Sequence, residues 1–160
     1  MLSPDTLRDI LSTAAADAFG DLGFLLVEPD VPPGDASQTA VPDDTPVATA
    51  QIALHGTVAG SLMVQVTGGV LEALATNMLA LDSAPDEPTQ RDALGELVNV
   101  LVGRVVADLE FVGFEMHMGL PEVSGGNTAV AVEPAVAQVR LKFLEGFADV
   151  ALVWHEGHGP

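Results

Sequence analysis

Residues 92–109, DALGELVNVLVGRVVADL, constrain the fold most, because they form the longest stretch that repeats with a helical period. At about 100° per residue, Leu94, Leu97, Val98, Leu101, Val105 and Leu109 fall on one broad side, which is the side that packs on a core. Asp92, Glu96, Asn99 and Gly103 fall opposite at i, i+4, i+7 and i+11. Two carboxylates, an amide and a position without a side chain therefore line up along a narrow exposed stripe. Any surface helix has a polar outer face, and Asp92 alone could serve the helix dipole. The stripe earns attention because nothing bulky stands beside the amide.

Composition removes several kinds of partner. Five Lys and Arg against 23 Asp and Glu give a formal charge of −18, which repels phosphate backbones and anionic lipid headgroups. We therefore expect neither nucleic acid nor membrane as a partner. The chain has no cysteine, so disulfides and thiolate zinc sites are excluded. His55, His117, His155 and His158 show no convincing ligand spacing, and His155 and His158 read as part of a solvated tail, residues 156–160 being mobile. The N-terminus has no basic leader region and no apolar run is long enough to span a bilayer, which reads as a cytoplasmic protein. With 160 residues, 48% of them hydrophobic, the chain is expected to fold as a single domain over 1–160.

Taken in order, Ser3-Pro4-Asp5 is a helix start, and Leu7, Ile10, Leu11, Ala14, Ala15 and Ala18 keep helical spacing up to Gly20, which is expected to stop it. Phe24 to Val27 is an apolar run consistent with a short buried strand. Glu28 to Pro46 contains five prolines among aspartates and glycine, and is expected to be an exposed acidic loop. From Val47 the period changes to two. Ala48, Ala50, Ile52 and Leu54 share one face, Thr49, Gln51 and His55 the other, and a second alternating run from Val58 to Val66 follows His55-Gly56. That is an antiparallel hairpin. Gly69 to Leu81 returns to helical spacing with Val70, Leu71, Leu74, Ala75, Met78 and Leu79 as its core stripe, and Met63 and Met78 are expected to fill core space. Asp82 to Gln90, with Pro85 and Pro88, is the connector before the long helix.

Beyond the long helix, Phe114, Met116 and Met118 alternate up to Pro121, and Ser124 to Asn127 reads as a turn. Thr128 to Val132, Val139 to Phe143 and Val150 to Trp154 are further strands. Three main helices and about five or six strands, joined by hairpins without regular strand-helix alternation, imply an α+β fold with a mainly antiparallel sheet and the helices packed on it.

The motif helix carries more than a pattern. Asp92, Glu96, Asn99 and Gly103 stand in D-x-x-x-E-x-x-N-x-x-x-G spacing within DALGELVNVLVG, and this segment resembles the signature helix of the CheC/CheX/FliY family of chemotaxis phosphatases, which dephosphorylate the response regulator CheY. The stretch from Ile52 to Asp82 is similar to the family's Gly-containing hairpin that runs into a helix before the motif helix. LPEVSGG resembles its Pro-then-Gly segment after it. The CheC branch carries two motif copies and the CheX branch one. The first helix here has no Glu-x-x-Asn, so the resemblance is CheX-like, with a CheC-like fold.

The resemblance implies a phosphatase without a nucleophile or cofactor of its own, acting on an aspartyl phosphate seated with Mg²⁺ in a phosphorylated CheY-type receiver domain. On that reading Asn99 orients the attacking water, Glu96 pairs with the receiver's lysine, and Asp92 and Gly103 belong to the docking surface. Gly103 has an equally good reading as a close helix-packing residue. The family implies homodimers, which the residues neither support nor exclude. The acidic proline-rich insert and the heavy negative charge depart from the family pattern. The alternative is a non-catalytic CheX-like domain that binds a receiver or another protein; a purely structural dimeric domain would bury the stripe. An enzyme with its own small-molecule substrate is disfavoured, because no phosphate-binding glycine loop or nucleophile-base pair is present.

Overall fold

The computed structural model describes residues 2–28, 46–125 and 135–155. The expected strand at 128–132, the tail at 156–160, and most of the proline-rich loop lie outside them. Helix α1 (Pro4–Gly23) begins where the Ser3 hydroxyl accepts the Thr6 N–H at 3.1 Å, with proline in the first turn, where no donor is lost. It runs past Gly20, contrary to the sequence expectation, and ends at Phe24, whose left-handed backbone (φ 52°) lets its N–H return to the Gly20 carbonyl. A glycine inside a helix costs about 1 kcal/mol. Burial of Phe19 and Leu25 on either side offsets that cost.

Phe24 to Val27 do not form the expected strand. Leu25 is buried while Phe24 and Leu26 are exposed, and a backbone bond between this segment and the sheet runs from the Glu28 N–H to the Lys142 carbonyl at 2.8 Å.

Strands β1 (Pro46–Gly56) and β2 (Ala59–Thr67) form the expected hairpin, with Ala48 opposite Val66 and Leu54 opposite Gly60. Gly56 turns it at φ 138°, and a side chain there would collide with the Glu115 carbonyl. Helix α2 (Gly68–Met78) then stops short of Leu81. Leu79 is consequently exposed rather than part of the core stripe. Helix α3 (Glu87–Phe111) starts before the expected connector has ended: Asp86 caps it and Pro88 sits in its first turn, so this proline starts the helix and breaks nothing.

The remaining strands are β3 (Met116–Met118), β4 (Glu122–Gly125), β5 (Ala137–Phe143) and β6 (Gly146–His155). They complete a six-stranded sheet among the described residues, in the order β3-β1-β2-β6-β5, with β4 also on the free side of β1. Every pairing is antiparallel. Three helices and an antiparallel sheet match the α+β expectation. The inward faces of the central strands (Ile52, Leu54, Leu62, Val64, Val150, Leu152) share one core with Leu11 and Phe19 of α1, Leu74 of α2 and Leu97 and Leu101 of α3. Phe19 and Phe143 join α1 to β5 with ring centroids 5.0 Å apart.

The other face of the sheet carries Thr49, Gln51 and His55, as their alternation predicts. Met63 lies on this face and is only half-buried, so of the two methionines expected as filler it is Met78 that packs against the core. Arg140 Nε and Nη2 donate to the Asp149 carboxylate at 2.7 and 2.9 Å, and the guanidinium lies 4.0 Å from the Phe147 ring centroid. His155 is the exposed last residue of β6 rather than part of a tail.

One irregularity shapes the edge beside α3. Leu54 pairs with Met118 and Gln51 with Glu122, so two residues of β1 stand opposite Gly119, Leu120 and Pro121. This is a β-bulge, a place where a strand tolerates a proline without a ladder donor. The extra residue shifts the side-chain phase. Regular alternation would aim Leu120 inward with Met116 and Met118. Instead Val123 packs on the core and Leu120 is 86% exposed. The sequence reading ended the strand at Pro121 and placed a turn from Ser124. The chain rejoins β1 as β4, and Ser124 and Gly125 belong to that strand; the rest of the expected turn is outside the described residues.

Candidate functional site

The site is built on α3. Its start is fixed by Asp86, whose carboxylate accepts the Thr89 N–H at 3.0 Å, and hydrogen bonding to the Thr89 side chain and backbone holds the carboxyl below its ordinary value of 3.8. Arg91 reaches Glu87 at 3.7 Å, and its Nε is buried without a hydrogen-bond partner. Further along, Arg104 ties the helix to α1 through Asp21 at 2.9 Å.

Between these anchors Leu94, Leu97, Val98, Leu101, Val105 and Leu109 are completely buried, as the period predicts. Ala93, Gly95 and Val102 are buried or nearly so as well, so the packed face is broader than the leucine and valine pattern implies. Gly95 faces β4, where a Cβ would stand 3.4 Å from Val123 Cγ2, an ordinary packing distance.

Asp92, Glu96 and Asn99 are exposed, along one face. None is engaged in a hydrogen bond or ion pair among the described residues. Together with Gly95, Leu120 and Pro121 they line a groove of roughly 440 Å³. One wall is polar and helical. The other is the apolar bulge between β3 and β4.

Gly103 is half-buried, and a Cβ built there meets nothing within 4 Å. Among the described residues no neighbouring element requires glycine at that point, and none there supports its reading as a helix-packing residue. It does not line the groove.

The groove lining missed by the sequence reading is Gly95, Leu120 and Pro121. Pro121 carried a visible signal, a proline interrupting a strand pattern. Leu120 carried none, because its exposure follows from a register shift against β1, a strand distant in sequence.

The chemistry available here is limited. The groove offers two carboxylates and an amide, with no serine, threonine, cysteine, histidine or lysine. Among the described residues no group of three or more His, Asp or Glu is placed to hold a metal ion, and no helix is long and apolar enough to cross a membrane. A second concavity of roughly 320 Å³, between Leu2, Leu7, Val58, Phe114 and Trp154, is lined by apolar residues and offers no polar side chain to a reaction.

The fold is shared with solved chemotaxis proteins. A chemotaxis protein CheX from Desulfovibrio desulfuricans superposes with a TM-score of 0.77 at 21% identity, covering 94% of this chain and 99% of that one. CheX from Vibrio vulnificus gives 0.76 at 16% identity, covering 97% and 100%. The Borrelia burgdorferi protein, solved as a CheX-CheY-BeF3-Mg²⁺ complex, gives 0.69 at 18% identity, covering 92% and 97%. Among curated proteins, none matches the chain in sequence. Three helices on an antiparallel sheet, shared with these structures over nearly the whole chain, thus define a CheC/CheX-like fold. Residues 48–144 match the family described as "Chemotaxis phosphatase CheX", and the chain belongs to that family.

Proposed function

We propose that this chain is a phosphatase for the aspartyl phosphate of a CheY-type receiver domain. The observation that carries the reading is the stripe itself: Asp92, Glu96 and Asn99 are exposed and unpaired on a helix whose other side is locked into the core. Membership of the CheX family supports it, as does the likeness to the Borrelia protein solved with CheY.

An aspartyl phosphate is an activated acyl phosphate, so its hydrolysis requires water placed in line with phosphorus rather than a nucleophile from the enzyme. Asn99 is suited to that task. Its amide donates to one group while its carbonyl accepts from the attacking water. Glu96, one turn earlier, forms a charge-assisted bond with the receiver's lysine and so sets how deeply Asn99 is inserted. Asp92, a further turn back, is a peripheral docking contact, and the side-chain-free surface at Gly103 lets the partner's backbone approach. Mg²⁺ belongs to the receiver, where it neutralises charge on the phosphoryl group; this chain needs no cofactor of its own.

The test is the decay of a panel of phosphorylated receivers with and without the chain, at fixed Mg²⁺. The expected result is accelerated loss of phosphate from at least one. Unassisted decay of all of them, with measurable binding to one, would instead establish the non-catalytic receiver-binding alternative.

A further inference from the structure

The groove beside Asn99 has an apolar wall that the water-orienting chemistry does not use. Leu120 is 86% exposed on the bulge between β3 and β4, and it faces the groove together with Asp92, Glu96 and Asn99. Its exposure is built in by the phase shift at Gly119-Leu120-Pro121 and is no accident of a loose loop. Single exposed leucines are ordinary on protein surfaces. This one stands on the wall opposite the proposed water-orienting amide.

Charge favours a recognition contact that does not depend on it. The chain carries a net −18, and two carboxylates line the groove. A pocket that holds an aspartyl phosphate with a divalent cation is itself lined by carboxylates. The divalent cation and the lysine that pairs with Glu96 offset part of that charge, and the chain's own net −18 still opposes the encounter. Burial of an aliphatic side chain supplies attraction that charge neither opposes nor provides.

Resting on the phosphatase reading above, we propose that Leu120 is the affinity and specificity anchor for the receiver. It packs on a small or apolar side chain of the receiver loop that borders the phosphorylated aspartate. It touches neither the water nor the phosphoryl group. The helix wall therefore carries the chemistry and the bulge wall carries recognition, so partner choice can change at position 120 without disturbing Asn99.

The experiment compares wild type, Leu120→Gln and Leu120→Met for affinity toward a beryllofluoride-loaded receiver and for steady-state dephosphorylation. Leu120→Gln should weaken binding about tenfold or more and raise KM in parallel, with kcat within about twofold. Leu120→Met should restore affinity, since it keeps apolar volume. The loss should be nearly the same at low and high salt, unlike that of Glu96→Ala. The side chain is exposed, so the thermal midpoint should not move, which a melting curve checks. Wild-type turnover with unchanged Leu120→Gln affinity overturns this inference and leaves the phosphatase reading standing. A wild-type chain that neither binds nor turns over any receiver overturns both. Conversion of a dimer to a monomer by Leu120→Gln, with receiver affinity unchanged, assigns the side chain to self-association and overturns the inference as well.

Discussion

Asp149 and Glu96 are both acidic side chains on regular elements, and their surroundings differ in every respect. Asp149 on β6 is buried, held by two hydrogen bonds from Arg140, which itself lies over Phe147. Glu96 on α3 is exposed, with Asp92 and Asn99 alongside and no cation engaged. A carboxylate removed from water has to be paired, and its loss is felt as stability. A carboxylate left in water without a partner contributes nothing to the fold and is available to one that arrives. The molecule thus separates charges that hold it together from charges held out to something else, and substitutions should reveal the division.

The largest effect is expected at Asn99. Replacing it with alanine removes the amide without removing a charge, and should lower single-turnover dephosphorylation by on the order of 10²-fold, comparable to losing one preorganised catalytic hydrogen-bond group. Affinity for a beryllofluoride-loaded receiver should survive. An Asn99→Ala protein of unchanged rate would show that the exposed side of the comparison has no catalytic content.

Asp149→Ala should come next, in the opposite register. It removes the two hydrogen bonds from Arg140 in a partly buried site and should destabilise the fold by about 2 kcal/mol in a denaturant titration, less than a fully buried pair because both partners keep some solvent contact. Dephosphorylation per folded molecule should not change. Glu96→Ala is expected to be smaller again, weakening receiver binding by about tenfold at low salt and less at high salt, with stability within about 0.5 kcal/mol of wild type. Asp92→Ala should do less than either. A melting curve that falls for Glu96→Ala would dissolve the contrast, since it would give that carboxylate a role in the fold.

The smallest effect belongs to Asp86, an acid with a purely local role. Its folded carboxyl lies below the ordinary 3.8 because Thr89 bonds to its charged form, so its stabilising contribution is complete above the unfolded value and is lost as pH falls through the lowered folded value. The stability gap between wild type and Asp86→Ala should therefore be flat above about pH 5 and close in stronger acid, as thermal melts across that range would reveal.

The register of α3 was legible because it is local: a period of 3.6 is enough to place Leu97 and Leu101 inside and Glu96 and Asn99 outside. The hairpin was legible for the same reason. Phe24 to Val27 looked like a strand because periodicity cannot say whether a partner strand lies alongside, and in the fold the segment meets the sheet edge through the Glu28 N–H bond to Lys142. Pro88 looked like a breaker because its position relative to the Asp86 cap decides whether it starts or ends a helix. What stayed hidden depended on pairing between distant segments. The bulge exists only when 116–125 is set against β1. The missing wall of the groove is of this kind, which is why the stripe could be read from the sequence while the cleft it faces could not.

The burial of one side of α3 has a consequence for which partner must move. Seven positions of this helix have no solvent contact at all, so its backbone cannot open without dismantling the core. Its central amides should accordingly be among the slowest in the chain to exchange with deuterium, opening only in global unfolding. Glu96 and Asn99 therefore ride on a segment with no low-energy alternative, and only their own side-chain torsions remain to be frozen on contact. On the proposed phosphatase reading, the conformational adjustment that admits the amide to a phosphorylated aspartate falls to the other molecule.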